Sequence, residues 1–242
     1  MDTCGAIVGP VTATLLLAAF DGNFSRVLLV ALVPGLLAAA AVWFLVEEKE
    51  RLHVKYISFR ARLTALPQSF RRFLVAVGLF GSGDFAHSML ILLATHRLGA
   101  KVAVSLYVLH NVLYAGFAYL AGWLADHFPK RPLLAAGYGL AAVMGLVLVF
   151  APLNLPVLAL VFVMAGIYVA VEEALEDSLA AELVDPEHHG MGFGMLATVN
   201  GLGDFLSSVV VGVLWTAFSP SVAFGYSTVL FLTGAVVVWR WR

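Results

Sequence analysis

Eight uninterrupted apolar runs, at about 3–20, 26–46, 73–95, 102–124, 132–151, 156–178, 191–215 and 222–239, decide what this chain can become. Each is long enough to cross a hydrocarbon layer of roughly 30 Å as a helix rising 1.5 Å per residue. Lipid offers no water to backbone groups, so only helices or closed barrels can span it. A barrel strand would alternate apolar with polar residues, which these runs do not do. The sequence therefore predicts an all-α, polytopic membrane protein with eight transmembrane helices. Composition points the same way: 62% of residues are apolar and 12% charged, against about a half and a quarter in ordinary globular chains.

The cations are unevenly distributed between the runs. One set of run ends carries Lys49, Arg51, Lys55, Arg60, Arg62, Arg71, Arg72, Lys130, Arg131, Arg240 and Arg242, eleven in all, whereas the other carries only Arg26, Arg97 and Lys101. Cations in short loops mark the cytoplasmic face. Both termini and the polar stretch 47–72 are therefore expected inside, in a plasma membrane of the bacterial type. That stretch, mixed in Glu, Lys and Arg, suits a helix lying along the membrane surface. It divides the chain into two spans (1–46), a basic linker (47–72) and six spans (73–242) joined by tight loops. The first run lacks a basic leader and suits a span better than a signal core. With Cys4 the single cysteine, an intramolecular disulfide and a cysteine metal site are both excluded.

Residues 122–134, GWLADHFPKRPLL, place one carboxylate and two cations in a very short break between long apolar runs. Gly122, Leu124, Ala125, Asp126, Lys130 and Arg131 fit the pattern G-x-L-A-D-[R/K]-x-G-[R/K]-[R/K], and on these residues the chain resembles the major facilitator superfamily of secondary transporters. His127 departs from it where a cation is usual, and Pro129 where glycine is usual. Gly5, Gly9 and Pro10 resemble a packing motif of the family's fifth helix, where small residues four apart let backbones approach. The resemblance implies twelve helices in two six-helix halves, of which this chain corresponds to helices five to twelve. It implies transport by alternating access, with Gly122, Asp126, Lys130 and Arg131 as a conformational gate. Asp126 is expected to meet the positive N-terminus of the helix beginning at Met1. A truncated gene, a late start or a split protein would each explain the shortness, and a partner chain could supply the missing helices.

Several polar residues sit where a charge is costly. Asp84 lies within the third run, with His87 and Ser88 at i+3 and i+4 on the same predicted helical face. The pair Asp84/His87 suits proton exchange or cation binding; an interhelical hydrogen bond is the bland alternative. Asp204 lies within the seventh run with Asn200 one turn before it, and either solute contact or a polar helix contact fits. His110 and Asn111 are expected to bridge helices. Glu172, Glu173, Glu176 and Asp177 form like-charged i,i+4 pairs that repel. Glu172 and Glu173 lie deeper and suit a proton path or pairing with Arg71, Arg72 or a histidine. Glu176 and Asp177 read as a helix end emerging into water.

Other chemistries find no support in the sequence. Glu187-His188-His189 lacks the spacing of a zinc helix, and neither a G-x-S-x-G elbow nor a phosphate-cradling loop occurs, which excludes ATP-driven pumping within this chain. No enzyme, cofactor, metal or nucleic-acid partner is expected. The expected partners are the lipid bilayer, a small cationic or neutral solute and protons. A non-transporting membrane module that needs a second chain is the alternative function.

Overall fold

The computed structural model describes residues 2–45 and 66–240. Most of the expected basic linker, with its surface helix, and Met1 lie outside the described residues. All regular structure among the described residues is helical, as the apolar runs require: α1 (Asp2–Ala19), α2 (Phe24–Leu45), α3 (Gln68–Gly81), α4 (His87–Leu98), α5 (Ala100–His127), α6 (Lys130–Phe150), α7 (Leu155–Leu183), α8 (His189–Ala217) and α9 (Pro220–Arg240), with a single 3₁₀ turn at Pro186–His188. Six of the described helical stretches, within α2 and α5 through α9, are by themselves long and apolar enough to cross a membrane.

The chain divides into two compact units, one of Gly5–Ala65 containing α2 and α1 from Gly5 onward, and a larger one built on Leu66–Arg242. Asn23 starts α2 by accepting the Arg26 amide at 3.2 Å, the usual remedy for an orphan N–H. Among the described residues nothing stands within 4 Å of a Cβ built on Gly5 or Gly9. Pro10 lies inside α1.

In the larger unit α6 packs along α9 and α7, α5 packs along α7, and α3 lies against both α8 and α9. Side chains from these helices form one core, with Phe80, Tyr138, Tyr168 and Phe231 fully buried near its centre. Phe80 stacks on Tyr138 at 3.7 Å between ring centroids and touches Phe231 at 4.8 Å. Arg71 and Arg72, expected in the linker, belong to the first two turns of α3. Asn154 caps α7 on the Val157 amide at 3.2 Å, with a proline in the first turn where its missing N–H costs nothing.

The third apolar run, expected as one span over 73–95, is instead two short helices separated by residues 82–86. The break has a tertiary cause. At Gly83 a Cβ would stand 2.7 Å from Leu230 Cβ and 3.1 Å from the Ser227 carbonyl, so only glycine lets the chain pass this close to α9. The carbonyls freed by the break find donors on other helices: Tyr226 Oη donates to the Ser82 carbonyl at 3.0 Å, and Ser207 Oγ to the Asp84 carbonyl. Backbone polar groups at membrane depth must be satisfied within the protein, and these two bonds do that. Below the break, α3 meets α8 backbone to backbone, since a Cβ on Gly203 would lie 2.9 Å from the Gly81 carbonyl carbon. That contact holds the mid-length of α8 beside the break.

Candidate functional site

Between the break, α7 and α8 lies a cavity of about 300 Å³. Asp84 borders it from the break, His87 from the start of α4, Glu172 and Glu173 from α7, and Asn200, Asp204 and Ser208 from α8. All six residues that the sequence nominated for a solute or proton path thus line one space. Their spacing explains it: Glu172 and Glu173 share one turn of α7, Asn200 and Asp204 are i,i+4 on α8, and the break swings Asp84 toward both.

Helical register is not what joins Asp84 to His87. Asp84 belongs to the non-helical link, and His87 is the first residue of α4, so the i+3 argument fails. Asp84 instead accepts a hydrogen bond from Tyr168 Oη of α7 at 2.9 Å. His87 packs against the His110 ring at 4.7 Å, and its buried Nε2 atom has no hydrogen-bond partner among the described residues. Asn111, expected to bridge helices, turns its amide back to the Tyr107 carbonyl of its own helix at 2.8 Å. His110 is buried at the helix interface beside His87 and Tyr107.

The reading of Glu176 as a helix end in water is corrected. Its side chain is 2% exposed. One carboxylate oxygen accepts from Tyr138 Oη of α6, and the other from Asn200 Nδ2 of α8 at 2.9 Å. Asp177, one residue on, is exposed. Glu176 follows Tyr168 and Glu172 at intervals of four, so all three share one face of α7. That face turns into the bundle, which places residue 176 inside despite its closeness to the helix end.

Tyrosine donors are the feature that sequence reasoning missed. Tyr168 serves Asp84, Tyr138 serves Glu176, and Tyr114 of α5 serves Glu173. A phenol can lie in apolar surroundings and still offer one O–H, so it is a low-cost partner for a buried carboxylate. Tyrosines recurring inside the apolar runs, Tyr114, Tyr138 and Tyr168 among them, were the available signal. Glu172 and Asp204 differ from the others: neither carboxylate has a hydrogen-bond or ion-pair partner among the described residues.

At the signature turn, Gly122 and Asp126 lie near the end of α5, and Lys130 and Arg131 open α6. Lys130 pairs with Glu182 near the end of α7 at 3.0 Å, with its Nζ 3.5 Å from the Ser178 carbonyl. The pair is partly exposed, and such pairs contribute about 1 kcal/mol or less. It registers the turn against α7 and adds little stability. Asp126 is exposed, and the start of its expected docking helix, Met1, lies outside the described residues. His189, from the motif weighed as a metal candidate, caps α7 through the Ala181 and Val184 carbonyls at 3.1 and 2.9 Å.

The chain is 26% identical over 244 residues to an uncharacterized MFS-type transporter, MJ1317, of Methanocaldococcus jannaschii. That alignment covers 98% of this chain but 61% of MJ1317, so the chain spans about three-fifths of that relative's length. Its fold resembles two crystal structures of the peptide transporter POT, a point mutant solved with sulfate and with alafosfalin. Each has a TM-score of 0.58 at 19% identity, over 76% of this chain and 41% of the other. The sequence pattern of the Major Facilitator Superfamily matches residues 73–242, the stretch that builds the helical bundle and its acidic cavity. This integral membrane protein therefore belongs to the Major Facilitator Superfamily, a family of transporters rather than enzymes.

Proposed function

We propose that the chain works in a secondary active transporter that moves a small solute by alternating access and exchanges protons for it. One observation carries the reading: Asp84, Glu172, Glu173 and Asp204 face a single cavity that has no Lys or Arg among its described lining residues. Acids at membrane depth are costly and mark ion or substrate paths. A carboxylate can hold a proton or compensate a bound cation, but not both at once. That exclusion couples the two, so a pH difference can drive solute movement.

In this reading the bundle of residues 66–240 rocks against an opposing bundle about the cavity. The turn of Gly122, Asp126, Lys130 and Arg131 acts as the gate on the cytoplasmic side, and the cation asymmetry puts both termini on that side of a bacterial-type plasma membrane. The match to the family's signature residues supports the gate.

The test is uptake into proteoliposomes under an imposed pH gradient, using anionic, neutral and cationic small solutes. At least one cationic or neutral solute should accumulate, and a protonophore should abolish its accumulation. Uptake unchanged by the protonophore for every solute that moves would overturn proton exchange.

The coverage of 61% of MJ1317 favours a second reading, in which a partner chain or additional helices complete the cavity. Movement only after co-expression with helices corresponding to the rest of MJ1317 would select that reading.

A further inference from the structure

The cavity lining separates into groups already engaged and groups that are free. Asp84 and Glu173 each take a phenol proton, and Asn200 gives one amide hydrogen to Glu176. The carboxylates of Glu172 and Asp204 stand on facing helices with no partner among the described residues. His87 borders the same space, and its buried Nε2 has no hydrogen-bond partner among the described residues. A buried polar atom without a partner implies that something absent from the protein itself satisfies it. The free groups are two acids and one imidazole nitrogen. A complementary ligand therefore brings positive charge together with several N–H donors.

We propose that this cavity takes a small protonated amine, held between Glu172 and Asp204 with His87 Nε2 accepting a further N–H. The assignment rests on the transporter reading above and names its substrate class. Anions are repelled by the carboxylates, and a neutral polyol leaves their charge uncompensated. A quaternary ammonium carries charge but no N–H. Such cations are recognised by aromatic cages, whereas Phe85 is the one Phe, Tyr or Trp among the lining residues. The volume of about 300 Å³ lies at the small end of the roughly 300–1,000 Å³ typical of ligand pockets.

The experiment is equilibrium binding to the purified full chain with three probes: the primary diamine putrescine, the quaternary cation choline and neutral butanediol. Putrescine should bind about tenfold more tightly than either of the others, and Glu172→Gln and Asp204→Asn should each weaken it about tenfold or more, as for a lost charge-assisted hydrogen bond. His87→Leu should weaken it less, because the bond it removes is to a neutral group. Equal affinity for choline or butanediol on the unsubstituted chain overturns the assignment, and that comparison holds even if a variant fails to fold. Unchanged putrescine affinity in both acid variants also overturns it. Gradient-driven transport of some other solute without putrescine binding removes the amine and leaves the transporter reading. Putrescine binding without any transport supports the amine and removes that reading.

Discussion

The Glu172→Gln substitution is expected to lower pH-gradient-driven accumulation by about 10- to 100-fold, the range set by typical coupling free energies between two ligands. Glu172 is the α7 acid in the cavity that no tyrosine engages. Glutamine keeps its size and its capacity to accept a hydrogen bond but can neither take up a proton nor carry charge. Exchange of solute down its own gradient should therefore survive, while dependence on the pH gradient disappears. The same substitution at Glu173, which Tyr114 already holds, should cost less. Groups that face Glu172 across the cavity are Asp84 from the break, His87 from the start of α4 and Asp204 from α8, so compensation by a neighbour would be seen as residual pH dependence. Accumulation and its pH dependence both unchanged in Glu172→Gln would remove this residue from the coupling step.

The second large effect is on stability. Glu176 is buried with both carboxylate oxygens occupied, by Tyr138 and Asn200. Tyr138→Phe removes one hydroxyl and leaves the ring stacked on Phe80. It should cost about 1–2 kcal/mol, between the membrane-helix average for side-chain bonds and the value for bonds to charged groups. Tyr138→Phe combined with Asn200→Leu strips Glu176 of both donors and should cost about 3 kcal/mol or more, as for a buried charge deprived of its partners. Adding Glu176→Leu to that pair should recover part of the loss, because no acid is then left unsatisfied. Thermal unfolding midpoints in one detergent measure all three variants. A double variant as stable as the original chain would mean that the network does not hold α6, α7 and α8 together.

The helical class and the extent of most helices were legible in the apolar runs, because lipid leaves so few spanning solutions. The break at residues 82–86 was not. Gly81-Ser82-Gly83-Asp84 reads as small residues within a span, and what interrupts the helix is crowding by Leu230 and Ser227 together with donors from Tyr226 and Ser207. These partners lie more than a hundred residues away, where no local pattern points to them. For the site, the cost of burying acids nominated the cavity-lining residues without any structure. The same reasoning failed at Glu176, because four acids in six residues resemble a helix end meeting water. Its depth depends on which face of α7 turns toward Tyr138 and Asn200, and that is a tertiary fact.

Alternating access requires the cavity to open to each side of the membrane in turn. Ser208 lines it, and Ser208→Cys is nearly isosteric, so a chain carrying that change with Cys4→Ser offers one thiol at the site. Its reaction with a membrane-impermeant thiol reagent can be followed in right-side-out and in inside-out vesicles. Alternating access predicts modification from both faces, each slowed when the opposite opening is favoured by an imposed pH gradient. Modification from one face alone, or from neither, would contradict it.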